Sequence, residues 1–211
     1  MSTAEPGSLE LRSQIELAEQ WLADQEPLFE ELIDRHGSCA LDSWQRQPFD
    51  TLVWAILGQQ ISVRAADAIE ARLLATLNAT AFEAEALLQL DESQLRAAGL
   101  SGAKIRTVTR LAKEVTCGRL ALDNLQTAED AEVKQQLCAL PGIGPWTAEM
   151  FLIFGLQRLD IFSPGDLGLR KAIQQLFSWS ERPTPEQSAL QASAWQPYRT
   201  VASWHLWREV D

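Results

Sequence analysis

Apolar residues recur every three to four positions along most of this chain, which is the spacing of amphipathic helices. The pattern predicts helices over residues 9–25, 49–60 and 62–77, the second being short, strongly apolar and ending near Gly58. Four apolar residues share one side of the third segment: Val63, Ala66, Ile69 and Leu73. Alternating strand patterns of any length are missing from the sequence, which favours an all-α fold with short loops.

Residues at the predicted helix ends agree with this interpretation. Ser62 stands at an expected N-cap, Gly118 stands where a glycine ends a helix, and Pro185 falls at a first helical position. Three pairs have capping-box spacing: Thr80 with Glu83, Asp91 with Gln94, and Thr184 with Gln187. Three of the eight tryptophans lie at apolar helical positions and are predicted to pack in the core: Trp21, Trp44 and Trp54.

The composition is that of an ordinary globular protein of 211 residues, 46% hydrophobic and 22% charged. No apolar run approaches the ~20 residues that span a bilayer, and the first residues do not resemble a signal peptide. The three cysteines, Cys39, Cys117 and Cys138, are widely separated. We therefore expect reduced thiols in a cytoplasmic protein, without an iron–sulfur cluster or a structural zinc site.

The formal net charge of −11 is unevenly distributed. Residues 1–50 contain 11 acidic and 3 basic residues, whereas residues 96–119 contain 6 basic residues and a single acidic one. The acidity of the whole chain argues against tight, sequence-blind coating of DNA. The basic segment is either a solvated helix face or a local patch that binds phosphate.

The segment LPGIGPWTA, residues 140–148, predicts a glycine turn that leads into a helix. Glycines permit positive φ and leave amide groups uncovered, and free amides at a helix N-terminus attract anions. The predicted phosphate-binding residues are Gly142, Ile143, Gly144 and Thr147. An ordinary glycine turn between two helices is the alternative. Three backbone carbonyls are candidate metal ligands: those of Cys138, Leu140 and Ile143.

Five ordered motifs carry a resemblance to a known family. The hairpin is followed by DIFSPGDLGLRKAIQQLF. This pair is preceded by WAILGQQISVRAA and AAGLSGAKIRTVTRLA and is followed by WQPYRTVASWHLW. Over residues 45–211 the chain resembles the helix-hairpin-helix–GPD superfamily of DNA glycosylases. Within that superfamily it is most similar to the 3-methyladenine DNA glycosylase II type, in a compact form without an N-terminal β domain.

The resemblance implies two helical lobes with a cleft that holds DNA. One lobe would combine residues 1–45 with residues 165–211, and the other would span residues 46–164. The helix-hairpin-helix would occupy about residues 133–155 of the second lobe. The resemblance also implies a cytoplasmic monomer that acts on damaged double-stranded DNA and has no membrane association. No cofactor is expected beyond a possible monovalent cation at the hairpin.

The resemblance further implies a monofunctional glycosylase that excises alkylated purines in base excision repair. Bifunctional relatives have a lysine directly after the hairpin, and this chain has Trp146. Asp166 would be the catalytic carboxylate, with a simple N-cap role as its alternative. Candidate bases are 3-methyladenine, 7-methylguanine, 1,N6-ethenoadenine and hypoxanthine.

The remaining site residues are transferred from the same resemblance. Trp146 and Trp207 would stack on the flipped base, with Met150 beside them where some relatives have an aromatic residue. Gln59 and Gln60 lie in the loop that enters the gap left by that base, with Gln60 as the wedge. Further DNA-contact candidates are Lys104, Arg106 and Arg199. The competing functions are a non-enzymatic module that binds damaged DNA and a helical interaction scaffold.

Overall fold

The computed structural model of the chain describes residues 6–210, and no β-strand occurs among them. The predicted all-α class is therefore confirmed for this part of the chain. The first six helices are α1 (Pro6–Gln25), α2 (Pro27–His36), α3 (Pro48–Gly58), α4 (Val63–Leu77), α5 (Ala84–Leu88) and α6 (Glu92–Ala97). The next six are α7 (Gly102–Thr116), α8 (Asp130–Cys138), α9 (Pro145–Met150), α10 (Leu167–Leu176), α11 (Pro185–Ala192) and α12 (Arg199–Val210).

Four shorter segments complete the architecture. Three are 3₁₀ helices, Leu41–Ser43, Leu122–Gln126 and Ser193–Trp195, and Phe151–Gly155 continues α9 as a π-helix. No helix among the described residues combines the length and the apolar character needed to cross a membrane. Residues 1–5 and 211, which belong to one predicted lobe, lie outside the described part of the chain.

The chain divides into two compact units. The first unit combines the segment that ends at Gln45 with the segment that begins at Gln157, and the second unit is Arg46–Leu156. Residues 157–164, which the resemblance places in the central lobe, are tied to the first unit by hydrogen bonds. The Gln157 side chain donates to the Leu41 carbonyl at 3.2 Å, and the Thr200 amide donates to the Leu159 carbonyl at 3.0 Å.

The core of the first unit is built from α1, α2, α10 and α12 around a buried tryptophan. Trp195 is fully buried, and its ring lies edge-on to Phe29 at 5.6 Å and to Phe162 at 6.0 Å. Its indole N–H donates to Glu26, so the polar edge of this buried ring has a partner. The tryptophans predicted to form the core, Trp21, Trp44 and Trp54, are only half-buried.

The core of the second unit centres on α3, which is buried on almost every side. Leu52, Val53 and Ile56 of this helix are inaccessible to solvent, as is Phe151 at the start of the π-helix. A Cβ atom on Gly155 would lie 2.7 Å from the Phe151 ring, so the close approach of this ring requires glycine. A helix that is buried on almost every side needs no polar face, which explains why most residues of α3 are apolar.

Most predicted helix starts are confirmed. Ser62 caps α4, and complete capping boxes form at Asp91 and Thr184. The predicted box at Thr80 and Glu83 is wrong, because α5 begins at Ala84 and has no side-chain cap. The segment before it is instead held by a tertiary contact, since the amide of buried Phe82 donates to Asp50 at 3.3 Å. Val63 shares one side of α4 with Ala66 and Leu73 in sequence, but it is 68% exposed in the first turn of the helix.

Candidate functional site

The loop before α10 delivers Asp166 to the N-terminus of that helix. Its carboxylate oxygen Oδ1 accepts a hydrogen bond from the Leu169 amide at 2.8 Å, which makes Asp166 the N-cap of α10. The Asp166 amide donates to the Ser163 carbonyl at 3.1 Å and closes the preceding turn. The capping role that the sequence offered as an alternative is therefore present, and it leaves a catalytic role for the same carboxylate open.

Trp207 on α12 contacts the same carboxylate. Its indole N–H donates to Asp166 Oδ1 at 3.0 Å, so this one oxygen accepts from both an amide and an indole. Gly168 makes room for the ring: a Cβ atom there would lie 3.2 Å from Trp207 Cδ1 and 3.1 Å from Asp166 Oδ1. The first unit thus brings together two residues that the sequence placed in one site, in an arrangement that sequence reasoning did not anticipate.

The glycine turn lies between α8 and α9 in the second unit. Gly142 has φ of 96°, and a Cβ atom there would lie 1.9 Å from Thr107 Oγ1, so no other residue fits. Gly144, for which positive φ was expected, has an extended backbone with φ of −105° and forms the N-cap position of α9. The Ile143 amide donates to the Leu140 carbonyl at 3.0 Å, which closes the turn.

Gln59 and Gln60 have different environments in the structure. The Gln59 side-chain amide donates to the Gly142 carbonyl at 3.0 Å and to Thr147 Oγ1 at 2.8 Å. Gln60 is exposed and has a left-handed backbone with φ of 57°. The first glutamine is therefore bound to the hairpin, whereas the second is the accessible one, as expected for a wedge.

Trp146 is half-buried in the first turn of α9 and lies beside the end of α3. A Cβ atom on Gly58 would be 3.6 Å from Trp146 Cη2, which is ordinary contact distance. Met150, one helical turn later, is only 2% exposed. Both residues belong to the second unit, whereas Asp166 and Trp207 belong to the first. The predicted stacking roles of Trp146 and Met150 stay predictions.

Two of the three basic DNA-contact candidates have partners within the chain. Lys104 Nζ donates to the Leu57 carbonyl at the end of α3 at 2.6 Å, and burial lowers the pKa of this lysine. Arg199 forms a bidentate ion pair with Asp160, with N···O distances of 2.7 and 2.9 Å. Arg106 is exposed on α7. Of the three, Arg106 is the side chain best placed to bind an external phosphate.

Sequence reasoning missed two supporting residues of these arrangements, Thr107, which packs on Gly142, and Gly168, which makes room for Trp207. It named Gln59 as a candidate DNA wedge and did not predict its bond to the hairpin. Of these only Gly168 gave a local signal, because a glycine in the first turn of an amphipathic helix lowers helix stability without an evident reason. Among the residues that the structure describes, no group of three or more His, Cys, Asp or Glu side chains is arranged to hold a metal ion.

A comparison with known proteins identifies the family. The family model described as "HhH-GPD superfamily base excision DNA repair protein" matches residues 53–197. The chain belongs to this superfamily. The matched range includes the Gln59 loop, the glycine hairpin and Asp166, whereas Trp207 lies beyond it. The predicted resemblance is thereby confirmed at the level of the superfamily.

Relatives of this HhH-GPD protein agree in sequence and in structure. It is 30% identical over 166 residues to DNA-3-methyladenine glycosylase 1 of Schizosaccharomyces pombe, covering 78% of this chain and 73% of the relative. The structure of the S. pombe 3-methyladenine DNA glycosylase Mag1 with abasic DNA superposes with a TM-score of 0.82 at 28% identity, over 90% and 95% of the two chains. A Bacillus halodurans DNA-3-methyladenine glycosidase gives a TM-score of 0.70 at 32% identity, over 100% and 91%.

Proposed function

We propose that this protein is a monofunctional DNA glycosylase that excises alkylated purines by hydrolysing the N-glycosidic bond during base excision repair. The observation that carries the proposal is the Asp166 carboxylate, held at the N-terminus of α10 by two N–H donors in a chain of the HhH-GPD superfamily. The names of its relatives support the substrate class, since the S. pombe and B. halodurans proteins are both 3-methyladenine enzymes.

The chemistry of alkylated purines suits a single carboxylate. Alkylation at N3 or N7 gives the base a positive charge, so the base leaves as a neutral molecule and needs no general acid. Positive charge then develops at C1′ of the sugar, and a fixed anion beside it lowers the barrier. In this proposal Asp166 supplies that anion and orients the attacking water.

Recognition of the base would rest on aromatic stacking. A base must leave the duplex before it reaches the half-buried Asp166 carboxylate. A cationic purine stacks favourably on an indole, with about 0.5–2 kcal/mol per contact. Trp146 is the proposed platform for this contact. An indole also cannot form a Schiff base, which is the reason that we propose glycosylase activity without strand cleavage.

DNA would be held by the hairpin and by the loop beside it. In this proposal the amides of Gly142, Gly144 and Thr147 bind one phosphate, since the Ile143 amide is already bonded to the Leu140 carbonyl. Gln60 fills the gap left by the flipped base, and Arg106 binds a second phosphate. The abasic DNA in the Mag1 structure supports damaged duplex DNA as the partner. A monovalent cation on the carbonyls of Cys138, Leu140 and Ile143, a monomeric state and a cytoplasmic location complete the proposal.

The test is release of free base from methylated duplex DNA by the native protein and by Asp166→Asn. Asparagine is as good an N-cap as aspartate, so this variant retains the helix start and removes only the negative charge. We expect the native protein to release 3-methyladenine or 7-methylguanine, and the variant to bind the DNA and release almost none. Binding without release by both proteins would instead favour a lesion-binding module, and equal release by both would exclude Asp166 as the catalytic group.

A further inference from the structure

We propose that Trp207 acts in base excision by orienting the Asp166 carboxylate through its indole N–H. This inference rests on the proposed function and replaces the stacking role that the resemblance implied for Trp207. Trp207 is then a positioning residue, because it acts on the reaction through Asp166. In this role the indole N–H of Trp207 contributes more to catalysis than its aromatic face does.

Two hydrogen bonds from different helices hold the Asp166 carboxylate. Oδ1 accepts from the Leu169 amide at 2.8 Å and from Trp207 Nε1 at 3.0 Å. A carboxylate that only caps a helix is held by one side-chain bond and can rotate about it. A second donor from another helix removes that rotation and fixes the direction of the whole group. Hydrogen bonds to an ionised acceptor are also stronger than neutral ones.

A glycine in α10 makes room for this contact and lowers the stability of the helix. Gly168 lies in the first turn of α10, and glycine stabilises a helix less than alanine does. A Cβ atom at this position would come within 3.2 Å of the indole and 3.1 Å of Oδ1. The absence of a side chain therefore permits the Trp207 ring to approach the carboxylate, which indicates that the approach itself is required.

The two helices that carry the pair are firmly anchored in the first unit. On α10, Leu169, whose amide binds Asp166, is inaccessible to solvent. On α12, the same is true of Leu206, the residue before Trp207. Rigid elements hold an active group more accurately than loops do, and a catalytic anion contributes most when it is already oriented before the reaction. The indole thus converts a simple N-cap into an oriented carboxylate.

The decisive experiment removes only the N–H group. Replacing Trp207 with 3-benzothienylalanine preserves ring size and puts sulfur in place of Nε1, and Trp207→Phe is the simpler companion. We expect the single-turnover rate of 7-methylguanine release to fall about 10- to 100-fold, the range for loss of a hydrogen bond to a charged group. The Kd for methylated duplex DNA, measured in the Asp166→Asn background so that the base stays attached, should stay within about threefold, because the stacking face is retained. Trp204→Phe, on the same helix, is the matched control and should retain the native rate.

A double variant separates orientation from stacking. With Asp166→Asn there is no carboxylate to orient, so loss of the N–H should not reduce the residual rate further. A stacking role predicts an equal reduction in both backgrounds together with weaker DNA binding. That result, or an unchanged rate in the benzothienyl variant, would overturn the proposal.

An activity-independent measurement keeps the two proposals distinguishable. The ¹H–¹⁵N signal of the Trp207 indole should shift in Asp166→Ala and stay in place in Trp204→Phe. An unchanged signal means that the hydrogen bond is absent, which overturns the orienting role even if the native protein releases base. A shifted signal with no base release by the native protein means that the proposed function fails and that the contact is only a helix cap, which overturns the orienting role as well.

Discussion

The side chain of Gln59 links the end of α3 to the glycine hairpin by donating to both the Gly142 carbonyl and the Thr147 hydroxyl. Thr147 is 1% exposed, so this hydroxyl depends on partners within the chain. Gln60, the proposed wedge, is the next residue. The link therefore fixes the position of the proposed wedge relative to the proposed phosphate site.

Replacing Gln59 with alanine should lower the free energy of unfolding by about 1–3 kcal/mol, because it leaves two acceptors without their donor. Gln60→Ala is the matched control, since Gln60 is exposed and should change stability by less than about 0.5 kcal/mol. Urea unfolding measures both. Binding of abasic-site DNA should weaken in both variants. Equal stability of the two variants would show that the Gln59 link contributes nothing to the fold.

The two glycines of the hairpin should respond differently to alanine. Gly142→Ala combines a positive φ with a clash on Thr107 and should destabilise the protein by at least about 1–3 kcal/mol. Gly144→Ala has an extended backbone and no atom within 4 Å of the new methyl group, so it should lose only the N-cap preference for glycine over alanine, about 0.5–1 kcal/mol of stability. Thermal unfolding gives the comparison, and similar melting temperatures would contradict it.

The salt dependence of DNA binding distinguishes the role of Lys104 from that of Arg106. Lys104→Met retains the aliphatic stem but loses the bond to the Leu57 carbonyl, so it should cost about 1–3 kcal/mol of stability and leave the salt slope unchanged. Arg106→Ala should retain native stability and reduce the slope of log K against log salt by about 1. The reverse pattern would identify Lys104 as the phosphate contact.

The buried Glu19 predicts a pH dependence of stability. Burial alone raises the pKa of Glu19, but hydrogen bonds from His205, the Cys39 amide and Ser38 outweigh it and bring the pKa below its ordinary value of 4.5. A lowered pKa in the folded state stabilises the protein above pH 4.5, and this contribution disappears as the pH falls through the lowered value.

Urea midpoints measured from pH 7 to pH 3 test this dependence with Glu19→Gln. For the native protein, the urea concentration at the midpoint of unfolding should decrease once the pH falls below 4.5. The variant should be less stable at pH 7, and its midpoint should depend less on pH in this acidic range. Some slope should remain, because hydrogen bonds from His36 and Arg35 also lower the pKa of Glu209 against the effect of desolvation. If the midpoint of the variant decreases with falling pH as steeply as that of the native protein, Glu19 is not a main contributor to the pH dependence.

Features encoded by neighbouring residues were predictable, and those encoded across the chain were not. The capping boxes at Asp91 and Thr184 need only residues three positions apart, and both formed. The box at Thr80 failed because Phe82 bonds to Asp50, 32 residues away. Gln59 and Thr147 are 88 residues apart, and Asp166 and Trp207 are 41 apart. Helical periodicity carries no information about such pairs.

The division of the chain into a continuous and a discontinuous unit has a consequence for protein synthesis. The second unit is one uninterrupted segment, Arg46–Leu156, and all of its residues are available as soon as that segment leaves the ribosome. The first unit must wait for its second segment. At about 5–20 residues per second, residues 46–210 take roughly 8–33 s to make, and α1 and α2 remain without α10 and α12 for that time. A nascent chain therefore assembles its hairpin early and acquires its Asp166 carboxylate late.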